Sequence, residues 1–219
     1  MKEISITSTD LNGEADEPEI RRRGNRATRT PEILECAMRV FSSEGAAGFT
    51  QRRVAAEAGI RLSTLQHYFG TREELLRSTI ETMGRRSFGL YRELMKDKTR
   101  APEAILDVIV DNMFTSLSEP DVSVGAFAVQ CWSLAEQEDF ARELVSGING
   151  ELQDIFAYIV GRISPSLTAS ECTLRGALIL SSMFGLVVYR RHGGYNMPDL
   201  DALRAGTKAI WRALSKSTP

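Results

Sequence analysis

Apolar residues recur at helical spacing along nearly the whole chain, and this periodicity constrains the fold more than any other feature. Residues 103–117, for example, place apolar side chains three or four positions apart, which puts them on one face of a helix. No segment alternates apolar and polar residues over several positions, as a half-buried strand does. The sequence therefore predicts an all-α fold.

Breaks in the periodicity divide the 219-residue chain into a tail and two helical domains. This length exceeds that of a common single domain and is too short for three. We predict a charged, disordered tail over residues 1–28, a small helical domain over residues 29–76 and a larger helical domain over residues 77–219.

Cap and turn residues predict where the helices begin and end. Thr30, Pro31 and Glu32 supply an N-cap, a proline at the first helical position and an early acid, so we expect the first helix to begin there. Its apolar stripe comprises Ile33, Leu34, Ala37, Val40 and Phe41. Further helices are predicted at 51–58, 62–69, from 71 to 95–98, and at 103–117, 122–136, 138–162, 168–192 and after Pro198.

Cysteine and histidine usage argues against metal, cofactor and enzymatic chemistry. Cys36, Cys131 and Cys172 form no CxxC pair and lie in apolar helical patterns, which is typical of reduced core residues in a cytoplasmic protein. With only His67 and His192 available, we expect no metal site. No Ser/His/Asp set, Cys/His set or glycine-rich phosphate loop is evident, so we expect neither a cofactor nor an enzyme.

No segment of the sequence predicts export or a membrane. The first 20 residues are polar and acidic, which differs from a secretion signal. The longest apolar run, residues 176–189, is shorter than the ~20 residues that a bilayer requires. We therefore expect that run to be a buried helix.

Charge is distributed unevenly along the chain, although the net charge is only −2. Residues 21–29 contain five arginines and no acid, whereas residues 101–141 contain eight acids and no Lys or Arg. In one interpretation, the basic stretch is an arm that follows the minor groove or the phosphates of DNA. In the other, it is only a solvated arm. Both interpretations remain open.

Residues 51–70 supply the residue types that a helix-turn-helix motif needs. Ala55 is a small residue where two helices would cross, and Gly59 tolerates positive φ at the turn between them. Val54, Ile60, Leu65 and Tyr68 are the candidate apolar residues that pack behind the two helices. The polar positions of the third helix are then free to face outward and enter a major groove.

The segment TPEILECAMRVFSSEGAAGFTQRRVAAEAGIRLSTLQHYFGTREELL, residues 30–76, resembles the N-terminal DNA-binding domain of TetR-type (TetR/AcrR) regulators. Within that family, LQHYFGTREELL is similar to the branch of BetI-like, choline-responsive repressors. The resemblance implies a DNA-reading domain followed by a helical domain for effector binding and dimerisation.

Carried over by position, the resemblance makes Thr50 and Arg72 phosphate contacts, and Ser63, Thr64 and His67 groove-facing residues. Arg61, Ser63 and Gln66 stand where the family usually has serine, glycine and tyrosine, so the operator sequence does not transfer. The full set of expected DNA contacts is Thr50, Gln51, Arg52, Arg61, Leu62, Ser63, Thr64, Gln66, His67, Tyr68 and Arg72.

One helix-turn-helix makes too few base contacts to find an operator, so we expect two copies to pair on a palindrome. The last two helices offer small and apolar residues for pairing, although an intramolecular core would have the same spacing. The resemblance favours a dimer interface there, formed by Leu178, Ser181, Phe184, Gly185, Val188, Leu203, Ile210, Trp211 and Leu214, with Gly176 among the small residues that permit close approach.

Aromatic residues, Met and Cys131 lie between the reading domain and that interface. Such residues are usually plain core, but the resemblance implies an effector pocket among these middle helices. The expected lining is Phe88, Tyr91, Met113, Phe114, Phe127, Cys131, Trp132, Phe156, Tyr158 and Met183. The run of acids over residues 101–141, beside Phe127 and Trp132, would suit a cationic effector through charge and cation–π attraction. Alternatively, Glu103, Asp107 and Asp111, which share one helix face, form a solvated surface that repels DNA.

The sequence thus predicts a homodimeric repressor that binds a palindromic double-stranded DNA operator and is released by a small-molecule effector. The alternative is a constitutive, nucleoid-associated or partner-controlled DNA-binding protein without a small-molecule ligand. Neither requires a membrane.

Overall fold

The computed structural model describes residues 26–118 and 124–216, and within them the chain is helical with no β-strand. This confirms the all-α prediction. The helices are α1 (Arg26–Gly48), α2 (Gln51–Glu57), α3 (Leu62–Tyr68), α4 (Arg72–Lys96), α5 (Pro102–Ser116), α6 (Val124–Ala135), α7 (Asp139–Ile163), α8 (Ala169–His192) and α9 (Leu200–Ser215), with a 3₁₀ turn at Gly194–Asn196.

Helix α1 begins at Arg26, earlier than the Thr30-Pro31 pair predicts. Pro31 lies inside the helix, and Arg29 pairs with Glu32 at 2.7 Å, an i,i+3 contact that supports the first turns. The prediction of a tail and basic arm reaching residue 28 or 29 was therefore wrong for residues 26–29. The rest of the predicted tail, residues 1–25, lies outside the described residues.

The first buried cluster packs α1 against α2, α3 and α4. All five predicted stripe residues of α1 are buried, and α1 is interrupted at Gly45, where φ is +65°. Phe49, just after α1, is fully buried and packs edge-on against Phe41, with ring centroids 5.7 Å apart. The cluster thereby holds the short helices α2 and α3 on a rigid support.

This first cluster also includes residues from the C-terminal part of the chain. Phe127, Cys131 and Leu134 of α6 are buried in it, as is Phe140 of α7. A Cβ at Gly45 would lie 2.5 Å from the side-chain oxygen of Gln130, which shows how closely α1 approaches α6. Helix α4 runs unbroken across residue 76, so a single helix joins the two predicted domains, and the division itself stays a prediction.

A second buried cluster lies among α4, α5, α7, α8 and α9. A Cβ at Gly176 of α8 would lie only 2.8 Å from the backbone nitrogen of Ala157 in α7, so this glycine permits close contact within the chain. Gly176 was predicted to allow approach between two subunits, and that prediction was wrong because the residue is buried against α7.

Helix α8 is only partly covered. It has the length and apolar composition of a membrane-crossing segment, but it packs on α7, and 33% of its most apolar 18-residue window is buried. The prediction of a buried helix was wrong for its outer face, which carries Leu174, Leu178, Val188 and Tyr189, each more than 40% exposed.

Candidate functional site

The turn between α2 and α3 has the geometry that its sequence predicts. Gly59 has φ of +61°, in the left-handed region, and its N–H donates to the carbonyl of Ala56 at 3.1 Å. The N–H of Ile60 donates to the carbonyl of Ala55 at 3.0 Å, and Ala55 is only 2% exposed. The small residue and the glycine therefore lie where the two helices come together.

Helix α3 presents a polar face to solvent. Leu65 is fully buried beneath it, whereas Ser63, Gln66 and His67 are exposed. Leu62, Thr64 and Tyr68 are half-buried at the edges of this face, and the Tyr68 ring lies 5.7 Å from that of His67. No described part of the chain covers the face, so a groove of DNA can approach it.

Exposed cations flank this face. Arg52 of α2 and Arg61, just before α3, are exposed and make no side-chain hydrogen bond or ion pair with any described residue. Arg53, by contrast, pairs with Glu44 at 2.7 Å and Glu57 at 2.9 Å. Its hydrogen bond holds the pKa of the Glu57 carboxyl below its usual range. Arg52 and Arg61 are therefore free to meet phosphates.

Two predicted DNA contacts, Thr50 and Gln51, also have structural roles. The hydroxyl of Thr50, which is exposed, accepts a hydrogen bond from the N–H of Arg53 and caps α2. The amide nitrogen of Gln51 donates to the carbonyl of Phe69 at 2.8 Å, which ties α2 to the end of α3. The contact of these residues with DNA stays a prediction.

Arg72, predicted as a phosphate clamp, braces the domain internally. Its Nε donates to the carbonyl of Phe49 at 2.9 Å and its Nη2 to the carbonyl of Ala46 at 2.8 Å, so it fixes the start of α4 to the α1–α2 connection. The residue is half-buried. Sequence reasoning missed this role because the two carbonyls lie more than 20 positions away; a phosphate contact stays a prediction.

An apolar cavity with two adjoining lobes lies among α4, α5, α6, α7 and α8. The inner lobe, of about 80 Å³, lies between α4, α6 and α7; the outer lobe, of about 60 Å³, lies between α4, α5 and α8. The lobes share the residues Ser87, Phe88, Val124, Ala128, Trp132 and Phe184.

Most residues predicted for the effector pocket line this cavity. They are Phe88, Tyr91, Met113, Phe127, Cys131, Trp132 and Met183. Phe114 and Phe156 do not, because both are core residues that contact α9, Phe114 beneath Arg204 and Phe156 edge-on to Trp211. Tyr158 is 39% exposed at the surface, where its hydroxyl accepts from Lys98. For these three residues the prediction was wrong.

Among the residues that the structure describes, the cavity lining carries polar groups but no Asp, Glu, Lys, Arg or His. Ser87 lies where the lobes meet, and its buried hydroxyl oxygen has no hydrogen-bond partner among the described residues. Burial raises the pKa of the Cys131 thiol to about 12 and raises the pKa of Tyr91 well above its usual value. Both groups are therefore neutral at physiological pH.

Two of the three acids of α5, Asp107 and Asp111, pair with residues of α9 and do not line the cavity. Asp107 pairs with Arg212, and Asp111 pairs with Lys208 at 2.7 Å. These bridges join two helices of the same subunit, so neither a cation-binding lining nor a simple solvated face describes Asp107 and Asp111.

The residues predicted for dimerisation separate into two groups. Leu178, Ser181, Gly185, Val188 and Ile210 are exposed on α8 and α9. Trp211 is fully buried, and its indole nitrogen donates to the hydroxyl of Ser182 at 3.1 Å. Leu203 and Leu214 pack on the same core, and Phe184 packs against Trp132. For Trp211 the interface prediction was wrong, because its side chain fills the subunit's own core.

Comparisons with known proteins agree with this architecture. Residues 20–79 match the family model of bacterial regulatory proteins, tetR family. The chain is 23% identical to the HTH-type transcriptional regulator BetI of Agrobacterium fabrum over 74% of its length and 77% of the relative's. It is 25% identical to the HTH-type transcriptional repressor KstR2 of Rhodococcus jostii, over 60% of its length and 63% of the relative's.

Solved structures share the fold. A TetR-like transcriptional regulator from Rhodococcus sp. RHA1 superimposes with a TM-score of 0.65 at 21% identity, covering 89% of this chain and 100% of that one. A transcriptional regulator from Saccharomonospora viridis, in complex with choline, superimposes with a TM-score of 0.70 at 15% identity, covering 85% and 96%. The helix-turn-helix domain therefore belongs to the tetR family of bacterial regulatory proteins, and the chain as a whole shares the fold of TetR-like transcriptional regulators.

Proposed function

We propose that the protein is a homodimeric, ligand-responsive repressor that acts in the cytoplasm. Each subunit presents the exposed face of α3 to one half of a palindromic operator, with Arg52 and Arg61 against phosphates. A small molecule in the two-lobed cavity lowers the operator affinity.

The uncovered faces of α8 and α9 support pairing of two copies. Leu174, Leu178, Ser181, Gly185 and Val188 lie in one stripe along α8, because their spacing returns them to the same side of the helix. On α9, Gly206 and Ile210 are exposed beside three alanines, at 202, 209 and 213. Two copies of such a face bury apolar area and approach closely at the small residues.

One observation carries the ligand response: the cavity wall is also part of the support of the helix-turn-helix. Ile80, Met83, Phe127 and Cys131 line the inner lobe and belong to the buried cluster that packs α1 to α4. Filling the lobe therefore acts on side chains that determine how the reading domain sits on α6. Because packed cores shift between discrete arrangements, a ligand that favours one arrangement changes the separation of the two reading helices.

The charge of the lining bears on the class of effector. The Saccharomonospora regulator is in complex with choline. In the described part of this chain's cavity lining a cation would meet aromatic faces but no carboxylate, and Asp107 and Asp111 are paired with α9. The position of the acids thus gives no support to a cationic effector.

A thermal-shift screen followed by operator titration tests the proposal. A ligand specific for the native state stabilises it by about 2.7 kcal/mol at 100 times its Kd. By linkage, such a ligand weakens operator binding by the same factor by which the operator weakens ligand binding. If ligands that bind the cavity leave the operator affinity unchanged, the protein is a DNA-binding regulator without that response.

A further inference from the structure

The shape and polarity of the cavity restrict what it can hold. The two lobes meet along six shared residues, so one molecule can extend from the inner lobe into the outer lobe. A buried apolar cavity of about 150 Å³ accommodates a benzene-sized molecule. Lobes of about 80 and 60 Å³ therefore suit a small, extended ligand.

The described lining disfavours a charged ligand. An ion moved from water into this site would lose part of its hydration and find no opposite charge among the described lining residues, none of which is Asp, Glu, Lys, Arg or His. Tyr91 and Cys131 remain neutral as well, since burial raises the pKa of each. An uncharged ligand avoids this cost.

One polar group at the junction of the lobes is unsatisfied. The Ser87 hydroxyl oxygen is buried and bonds to no described residue, although most buried hydroxyls in proteins are paired. Other polar side chains of the described lining include Asn149 in the inner lobe and Asn112 and Ser116 in the outer lobe. A ligand that brings a hydroxyl or carbonyl to Ser87 satisfies that group.

We propose that the cavity binds an uncharged, extended, largely apolar molecule whose hydroxyl or carbonyl group hydrogen-bonds to Ser87 between the two lobes. This inference rests on the proposed function, because it assigns the ligand class of the same cavity. Ser87 acts as a specificity-determining residue, and the aromatic and aliphatic walls supply the affinity.

Three probes of matched size test the class: 1-hexanol, hexylammonium and hexanoate. Each is titrated by calorimetry into the full-length protein without DNA. We expect 1-hexanol to bind at least about 10-fold more tightly than either ion, because the site cannot compensate a buried charge. If hexylammonium or hexanoate binds as tightly as 1-hexanol, or if 1-hexanol does not bind, the inference is overturned.

Variants test the role of Ser87. Ser87→Ala should weaken the binding of 1-hexanol by about 3- to 10-fold, because one net hydrogen bond is lost. The binding of benzene, which forms no such bond, should stay unchanged. The matched control is Ser42→Ala, since Ser42 also has a buried, unpaired hydroxyl but lies on α1 and lines neither lobe. The unfolding midpoint of Ser87→Ala should not fall, because the variant removes an unsatisfied group. An equal loss for benzene and 1-hexanol, or the same loss in Ser42→Ala, contradicts the assignment.

This experiment and the operator titration fail independently. If 1-hexanol binds as expected while cavity ligands leave operator affinity unchanged, the ligand class stands and the ligand-responsive repressor does not. If the protein selects an operator but binds none of the three probes, the ligand class is wrong and DNA recognition stands.

Discussion

Phe127 of α6 packs edge-on against Phe41 of α1, with ring centroids 5.0 Å apart and ring planes at 67°. Phe127 lines the inner lobe of the cavity, and Phe41 in turn packs against Phe49 just before α2. Three aromatic rings therefore connect the cavity to the base of the helix-turn-helix. Contact alone does not establish energetic coupling, which is measurable.

A double-mutant cycle measures the coupling between these two rings. Phe41→Leu and Phe127→Leu should each destabilise the protein, and their combined loss should differ from the sum by about 0.5–1.5 kcal/mol, the value of a good aromatic pair. Denaturant unfolding supplies the free energies. As a control, Phe41→Leu combined with Phe156→Leu, which lies in the other buried cluster, should be additive. Additivity for the Phe41–Phe127 pair would rule out the aromatic connection.

Gly176→Ala should disturb the packing of α7 on α8. The new Cβ would lie 2.8 Å from the backbone nitrogen of Ala157, and backbone atoms cannot yield as a flexible side chain does. We expect a loss of about 1–3 kcal/mol in the free energy of unfolding. Gly150→Ala on α7 is the control, because its Cβ meets no atom within 4 Å; a helical alanine there should be neutral or stabilising. Equal behaviour of the two variants would refute the close approach.

Substitutions of Arg72 and Arg52 should have different effects on stability and on DNA affinity. Arg72→Ala leaves the carbonyls of Ala46 and Phe49 without their guanidinium donor, which should cost about 1–3 kcal/mol of stability. Arg52→Ala should change stability by less than about 0.5 kcal/mol, because Arg52 is exposed and unpaired.

In DNA titrations against salt, Arg52→Ala should instead reduce the slope of log affinity by about 1. If Arg72→Ala is as stable as the wild type, Arg72 does not brace the domain. If Arg52→Ala has the wild-type salt slope, Arg52 does not contact a phosphate.

Leu178→Arg should separate the two subunits. Leu178 is 46% exposed on α8, so the substitution leaves the subunit's own core intact. In a symmetric pair it introduces two like charges into an apolar interface, and we expect the dimer to weaken by at least about 100-fold. Sedimentation velocity measures this. Leu90→Arg is the matched control, since Leu90 is 39% exposed on α4; if both variants stay dimeric, the α8 face is not the interface.

Helix positions and the turn were predictable because they depend on local sequence. Helical periodicity locates most helices, and Ala55 and Gly59 specify the turn by size and by positive φ. The start of α1 was not predictable in this way. The Thr30-Pro31 pair satisfies an N-cap pattern, but the residues from Arg26 to Arg29 are already helical.

What the sequence could not supply depends on distant contacts. Trp211 has the same spacing whether it faces its own core or a partner, and only the packing on Phe156 distinguishes the two. Four aromatic residues of the cavity lining were predicted, Phe88, Tyr91, Phe127 and Trp132, but Phe184 was assigned to the dimer interface although it lines both lobes. Val124, Ala128 and Ser87 carry no chemical signal that separates them from other helix residues. Likewise, Asp107 and Asp111 of α5 form ion pairs with α9 residues that lie about 100 positions further along the chain.

Quantitative footprinting of the DNA flanking the coding region tests the central claim that the exposed face of α3 reads sequence. We expect the protein to protect two half-sites related by two-fold symmetry, with centres separated by about one helical turn or a multiple of it. Ser63→Ala and His67→Ala should lower affinity for that site by about 1–3 kcal/mol each and leave affinity for random DNA unchanged. A protein that protects no site, or variants that bind the site as tightly as the wild type, would contradict the account.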